Sequence, residues 1–340
     1  MKKTLFLSLI ALISFGLLAQ DVSDEISVER KPIQISVIPP LSIGKLTDPY
    51  IYHFSLSWIA GDNYGLQGLE LGGVLNITKT NAGYAQFAGT ANWVNRKFTG
   101  LQAAGAFNRS RTLKGVQLSG FLNSSELTSG VQAAGAINQT KQLNGVQISG
   151  LLNIAKSVNG IQIGIINIAD TIEHGLSIGL INVVKMGLHH FELSSNDVAQ
   201  AQLAFRSGGD NLYGIFYGGV RTQHDPLLTA GLGFGSRFWS AKNEDIFGTI
   251  EVMGGSITST KGSFKKDLNL LNRLALNVGY QFNKRISVVG GPALNVYVTQ
   301  AYDQQSEEFG FDIGRNNLMS SSSDKTNVRM WLGYQVGFWF

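Results

Sequence analysis

The 340-residue chain contains no cysteine, so disulfides add nothing to its stability and a lipid-modified N-terminal cysteine has no attachment point. Charge is scarce, with Asp, Glu, Lys and Arg making up 15% of the residues against a usual ~25%. The 27 basic and 23 acidic side chains nearly balance and do not cluster, which excludes nucleic acid as a partner. Long apolar runs are missing as well. After residue 20 no stretch is apolar for the ~20 residues that a transmembrane helix needs. Glycine, by contrast, supplies 41 residues, about 12% against a usual ~7%. A glycine-rich, charge-poor and aromatic chain without helical spans points to an all-β fold.

The chain opens "MKKTLFLSLIALISFGLLAQ", with Lys2 and Lys3 ahead of an apolar run from Leu5 to Leu18 and the small Ala19 at its end. Residues 1–19 read as a secretory signal peptide, too short for a comfortable membrane span. The mature chain is expected to start near Gln20, outside the cytoplasm. Residues 20–32, with Asp21, Asp24, Glu25 and Glu29, read as a periplasmic leader.

Beyond that the sequence repeats itself. "GVQLSGFLN" (115–123), "GVQAAGAIN" (130–138) and "GVQISGLLN" (145–153) share the template Gly-x-Gln-x-x-Gly-x-x-Asn. First positions fall at Gly68, Tyr84, Gly100, Gly115, Gly130, Gly145, Gly160 and Gly175, at steps of 16, 16 and then 15. Such a period marks a solenoid or an array of duplicated strands. Within one unit Val116, Leu118, Gly120 and Leu122 alternate with Gln117, Ser119, Phe121 and Asn123, the period-2 pattern of a strand. Allowing four or five residues for a turn leaves a strand of the ~9–11 residues that cross a membrane when tilted. An antiparallel register with Val116 opposite Ile137 keeps apolar residues on one face. After residue 160 the second glycine and the asparagine come one residue early, which requires a bulge that the sequence does not locate.

From about residue 200 the repeat ends and alternation continues through 227–239, 246–253 and 274–281, with Arg237 and Glu251 on polar faces. In the closing "VRMWLGYQVGFWF", Val328, Met330, Leu332, Tyr334, Val336, Phe338 and Phe340 alternate to the last residue. This ending resembles outer-membrane β-barrel proteins, whose final strand carries alternating apolar residues and a C-terminal aromatic. The resemblance implies that Tyr334, Phe338 and Phe340 form a signal read by the barrel-assembly machinery, with outer-membrane lipid as the other partner. Residues 65–185 resemble a little-characterised family of bacterial surface-repeat proteins with tandem Gly-Leu-Gln and Gly-x-x-Asn units, which implies the cell surface or outer membrane and no particular activity.

The resulting expectation is an antiparallel transmembrane β-barrel over 33–340, with about sixteen to eighteen strands and its N-terminal half built of duplicated 15-residue strands. Gln102, Gln117, Gln132, Gln147 and Gln162, together with Arg237 and Glu251, would line the lumen. The glutamines either border a solute path or satisfy one another and water, filling the interior. With the C terminus in the periplasm, the connections at 258–267 and 299–327 fall outside, and the short turns at 240–245 and 283–285 fall inside. Function is then a passive channel or a surface-exposed structural protein. The alternative is a surface binding module or adhesin: residues 65–185 form a parallel solenoid with Gln and Asn ladders, joined to a smaller C-terminal barrel. In that arrangement Val116, Leu118 and Val131 would be expected in a protein core.

No enzyme chemistry is evident. His189 and His190 are adjacent and so point to opposite faces of a strand, poor for a metal; no metal or cofactor is expected. His53 with Ser55 is the one local pair of catalytic types, and chance explains it. The acidic balance of 299–327, with Asp303, Glu307, Glu308, Asp312 and Asp324, reads as a solvated loop rather than a calcium site.

Overall fold

A computed structural model describes residues 28–39, 41–43, 49–222, 226–241, 245–259, 267–283, 286–303, 308–314, 317–323 and 325–340. The expected signal peptide at 1–19 and residues 20–27 of the expected leader lie outside these. All regular structure among the described residues is β, in two parts: a parallel solenoid from Glu29 to Val184 and an antiparallel closed sheet from Leu188 to Trp339.

The duplicated units are rungs, not membrane hairpins. Strand Leu127–Ala134 lies parallel to Phe107–Ser119 on one side and to Gln142–Ser149 on the other. Val131 therefore faces Val116 on one side and Val146 on the other, each residue opposite its own counterpart one repeat away. This overturns the antiparallel register with Val116 opposite Ile137, and with it the barrel of sixteen to eighteen strands. The short strands Leu122–Ser124 and Ile137–Gln139 stack in the same way on the second side. One 15-residue unit thus makes one flattened coil, and coils rise by about 4.8 Å each.

The first template glycine is where the coil turns its side chains. Gly115, Gly130, Gly145, Gly160 and Gly175 have φ between +135° and +148°, and a Cβ there would meet the carbonyl oxygen of the preceding glycine at 1.8–2.1 Å. Only glycine fits that backbone and that approach. Leu113 and Gln117, two residues to either side of Gly115, both point inward. The slip after residue 160 is also explained. Asn153 faces Asn167, fourteen residues on, while Asn159 faces His174, fifteen on, with the irregularity between Val158 and Asn159. The corner after Ile163 is one residue shorter, and Glu173 is the extra residue that restores register.

The solenoid starts earlier than the repeat. Strand Glu29–Ile38 pairs parallel with Tyr50–Ser57, so part of the supposed leader belongs to the first rung, which ends at Pro39 where the ladder loses a donor.

Eight strands form the wall of the C-terminal part: β1 Leu188–Asn196, β2 Ala201–Gly209, β3 Leu212–Arg221, β4 Leu227–Ser240, β5 Ile246–Ser259, β6 Asn269–Asn283, β7 Ile286–Thr299 and β8 Asn327–Trp339, with a further strand Asn317–Ser322 paired to β8 and a short ribbon of Tyr302–Asp303 with Glu308–Phe309. Neighbours pair antiparallel in chain order, and β8 pairs with β1 through Glu192–Trp339 to Asn196–Gln335, closing the barrel. Phe340 extends that seam, exchanging backbone hydrogen bonds with Phe191 at 2.9 Å. The alternation read in the sequence is the alternation of this wall. Leu274, Leu276, Val278 and Tyr280 are exposed, while Ala275 and Asn277 are buried.

The solenoid meets the barrel end-on. Backbone carbonyls of its last coil point along the stacking axis, and barrel side chains bond to them: Ser207 Oγ donates to Asn182 O at 2.7 Å, and His189 Nε2 lies 2.6 Å from Val184 O. This is the end of the barrel where β2 meets β3, where β6 ends and β7 begins, and where the C-terminal residue lies.

Candidate functional site

Three features of the molecule could carry function: the barrel interior, the amide-filled interior of the solenoid, and the solenoid's outer face.

The barrel interior is built from the inward positions of the alternating strands, and it is charged. Arg206 on β2 is fully buried and donates in a bidentate fashion to Glu251 on β5, with Nε–Oε1 and Nη2–Oε2 both at 2.9 Å. Its Nη1 stands 2.6 Å from Glu192 Oε2 as an ion pair without hydrogen-bond geometry. Tyr213 OH donates to Glu251 at 2.9 Å, Trp339 Nε1 donates to Glu192 at 2.6 Å, and the guanidinium lies 4.7 Å from the Trp339 ring centre. A second network sits nearer the other end. There Arg273 donates to Asn295 Oδ1 at 2.7 Å and to Asp197 at 3.2 Å, and Trp331 Nε1 donates to Asp197 at 2.7 Å. Apolar side chains fill the remainder: Tyr213, Phe247, Met253 and Trp339 in one cluster, Leu227, Tyr297, Phe311 and Trp331 in the other. Phe311 and Ile313, between β7 and β8, pack into the barrel mouth, and Arg329 donates to the carbonyls of Phe309 and Phe311. A cavity inside the wall beside Gln202, Tyr217 and Arg273 measures about 10 Å³, barely one water. Eight strands leave an interior that side chains can fill, and here they fill it.

Glu251 thus faces inward, whereas Arg237 sits at the short-turn rim, 3.7 Å from Asp210 with its guanidinium over the Phe247 ring. The five glutamines do not line a barrel lumen. They are fully buried in the solenoid, each Nε2 donating to the Oε1 one rung earlier: Gln162 to Gln147, Gln147 to Gln132, Gln132 to Gln117, Gln117 to Gln102 and Gln102 to Gln86, at 2.7–2.9 Å. The amides satisfy one another, the second of the two readings that the sequence left open. Asparagines form a parallel column from Asn76 to Asn182 with the opposite polarity, Asn76 Nδ2 donating to Asn92 Oδ1 and so on up the stack. A second donation from each of Asn76 to Asn153 to a backbone carbonyl, such as Asn123 to Ala133 O at 2.7 Å, fixes its orientation.

The glutamine ladder ends on a carboxylate. Gln86 Nε2 donates to Glu70 Oε2 and Asn63 Nδ2 to Oε1, both at 2.6 Å. Burial nevertheless pushes the Glu70 carboxyl up to about 7, outweighing its hydrogen bonds from Gln86, Ser55 and Asn63. Ser55 bonds into this buried cluster while His53 is exposed, so the two do not form a pair. His189 is spent on the junction with the last coil, and His190 stacks on Trp339 at 5.5 Å. Among the described residues no grouping of His, Asp or Glu could hold a metal.

The interior pairs the amide columns with an apolar column of Phe98, Leu113, Leu143 and Val158, while the apolar residues that follow the template glutamine and the second template glycine are outside. Leu118 and Ile148 are exposed at 41% and 44%, and Phe121 and Leu151 at 44% and 46%. The expectation that a solenoid would bury Val116, Leu118 and Val131 in a protein core is corrected: Leu118 is exposed and the two valines are half-buried on the outer face. The opposite flank carries the charges, with Glu126 bridging Lys141 at 3.2 Å and Arg111 at 3.5 Å across rungs, which holds its carboxyl below the ordinary range. On the apolar flank an open groove of about 1030 Å³ runs along the stack, past Leu56, Leu71, Phe87, Leu118 and Ile148 over a floor of alanine, serine and glycine. Tyr334, Phe338 and Phe340 stand on the outer wall of β8, each more than half exposed.

Compared with known protein families, curated proteins and solved structures, the chain finds no match.

Proposed function

We propose that the protein is an outer-membrane anchor that holds a β-solenoid binding module at the membrane. The observation that carries this reading is the inversion of the barrel. Arg206, Glu192 and Glu251 are at most 1% exposed inside the wall, while Leu203, Val278, Phe282 and Leu332 are more than 60% exposed outside it. In water that arrangement wastes apolar area; in a bilayer it puts each group in its proper solvent. A passive channel is disfavoured, because the inner wall is packed and its ends are covered by Phe311 and Ile313 on one side and the last coil on the other.

Outer-membrane barrels keep short turns in the periplasm and long loops outside. The solenoid joins at the short-turn end, so in this reading it stands on the periplasmic side rather than at the cell surface. The last strand supports assembly: Tyr334, Phe338 and Phe340 form its outward aromatic edge. Replacing Phe338 and Phe340 by serine should leave the protein degraded or aggregated in the periplasm. Outer-membrane accumulation of that variant, with the heat-dependent gel mobility of a folded barrel, would count against the proposal.

A further inference from the structure

We infer that the groove along the apolar flank of the solenoid holds one acyl chain of a membrane lipid, lying lengthwise along the stack. This inference rests on the membrane reading of the barrel and names the ligand class of the attached module.

The groove follows one column of the coil. Leu56, Leu71, Phe87, Ala103, Leu118, Ala133 and Ile148 stand opposite one another on successive rungs. Six steps of about 4.8 Å make the trough roughly 29 Å long. Its floor is the neighbouring column of Gly72, Ala88, Ala104, Ser119, Ala134 and Ser149, small residues that leave room. No charged side chain lines it.

The direction of the groove selects the occupant. It runs across the strands, and the backbone groups beneath it are already committed to the parallel ladder between rungs. A peptide lying there would find no backbone partners and would bury its own N–H and C=O groups unpaired. A sugar would need outward polar groups, and the repeat's amides are all turned inward. An alkyl chain has no such requirement and gains from each methylene removed from water. The hydroxyls of Ser57, Ser119 and Ser149, buried on the floor without partners, are the polar exceptions.

The end-on junction gives the groove its access. Its column continues through Ile163 and Ile178 to the last coil, which rests on the barrel rim. In the membrane reading a chain leaving the inner leaflet beside the barrel meets an apolar path with no charged side chain along it.

The test uses the full chain in lipid nanodiscs containing a small fraction of phospholipid with a diazirine midway along one acyl chain. After illumination, adducts are expected on peptides containing Phe87, Leu118 and Ile148 and on the outer barrel wall at Leu274 and Leu276. Ala103→Glu and Ala133→Glu each place a carboxylate in the groove wall and should reduce groove adducts about tenfold or more, leaving wall adducts unchanged. Saturated fatty acids added as competitors should protect the groove about fourfold better per added methylene, levelling off once the chain outruns the trough. Wall adducts without groove adducts would overturn this inference alone; absence of both would overturn the membrane reading with it. Groove adducts that persist in both glutamate variants, or loss of groove labelling on formation of a dimer through this face, would also overturn it.

Discussion

Replacing Gln132 by leucine tests the amide ladder with a change of almost equal volume, so little of its effect comes from a cavity. Gln132 is fully buried, accepts from Gln147 Nε2 at 2.9 Å and donates to Gln117 Oε1 at 2.9 Å. Leucine orphans both neighbours in a site water does not reach. At about 1–3 kcal/mol for each orphaned group, the loss is about 2–6 kcal/mol, concentrated in the rungs on either side. Native-state amide exchange over residues 115–150 reads it as a fall in local opening free energy. Gln139→Leu, at an exposed position of the next strand, is the control and should stay within about 0.5 kcal/mol. The double variant Gln117→Leu with Gln132→Leu should cost less than the two single costs combined, because the shared bond is lost only once. Equal exchange rates in Gln132→Leu and Gln139→Leu would refute the reasoning, since a glutamine facing an aqueous lumen tolerates leucine at little cost.

Arg206→Met leaves Glu192 and Glu251 buried without their cation, and breaking such a pair costs about 3–5 kcal/mol; the urea midpoint of the folded barrel in detergent should fall accordingly, and an unchanged midpoint would contradict the ion pairing. Glu70 gives the first coils a pH dependence of definite sign. Its folded pKa of about 7 lies above the ordinary carboxyl value of 4.5, so its contribution is full below pH 4.5 and is lost as pH rises through 7. Exchange protection around residues 63–92 should therefore weaken between pH 5 and 8. Glu70→Gln should abolish that slope, and a slope that survives the substitution belongs to another group.

Much of this architecture is legible in the sequence, but not its handedness of pairing. The period, the glycine at each kink and the alternating strands after residue 200 can all be read directly, because each is a local constraint. Parallel and antiparallel stacking are not separated by such patterns. The repeat is close to symmetric about its apolar positions, so Val116 opposite Ile137 looks as consistent as the actual Val116 opposite Val131. The discriminating signal is identity itself. Glutamine recurring at one column makes sense only if it meets its own copies, as from Gln102 to Gln162. The burial of the amides is hidden for a related reason: a side-chain amide reads as solvent-facing unless its partners are known. The Arg206–Glu251 pair spans 45 residues and two intervening strands, beyond any sequence pattern, although the inward position of Glu251 follows from alternation.

The most direct test of the central claim, a membrane-spanning inverted barrel carrying a solenoid outside the bilayer, uses the absence of cysteine. Single cysteines at Leu274, Ala275, Leu276, Asn277 and Val278, and in the solenoid at Lys141 and Val131, are labelled with a fluorophore in liposomes containing a quencher confined to the acyl-chain region. Quenching should be strong at 274, 276 and 278, weak at 275 and 277, and absent at Lys141 and Val131. Uniformly weak quenching along 274–278 would contradict the membrane-spanning barrel, and strong quenching at Lys141 and Val131 would return the repeats to the membrane.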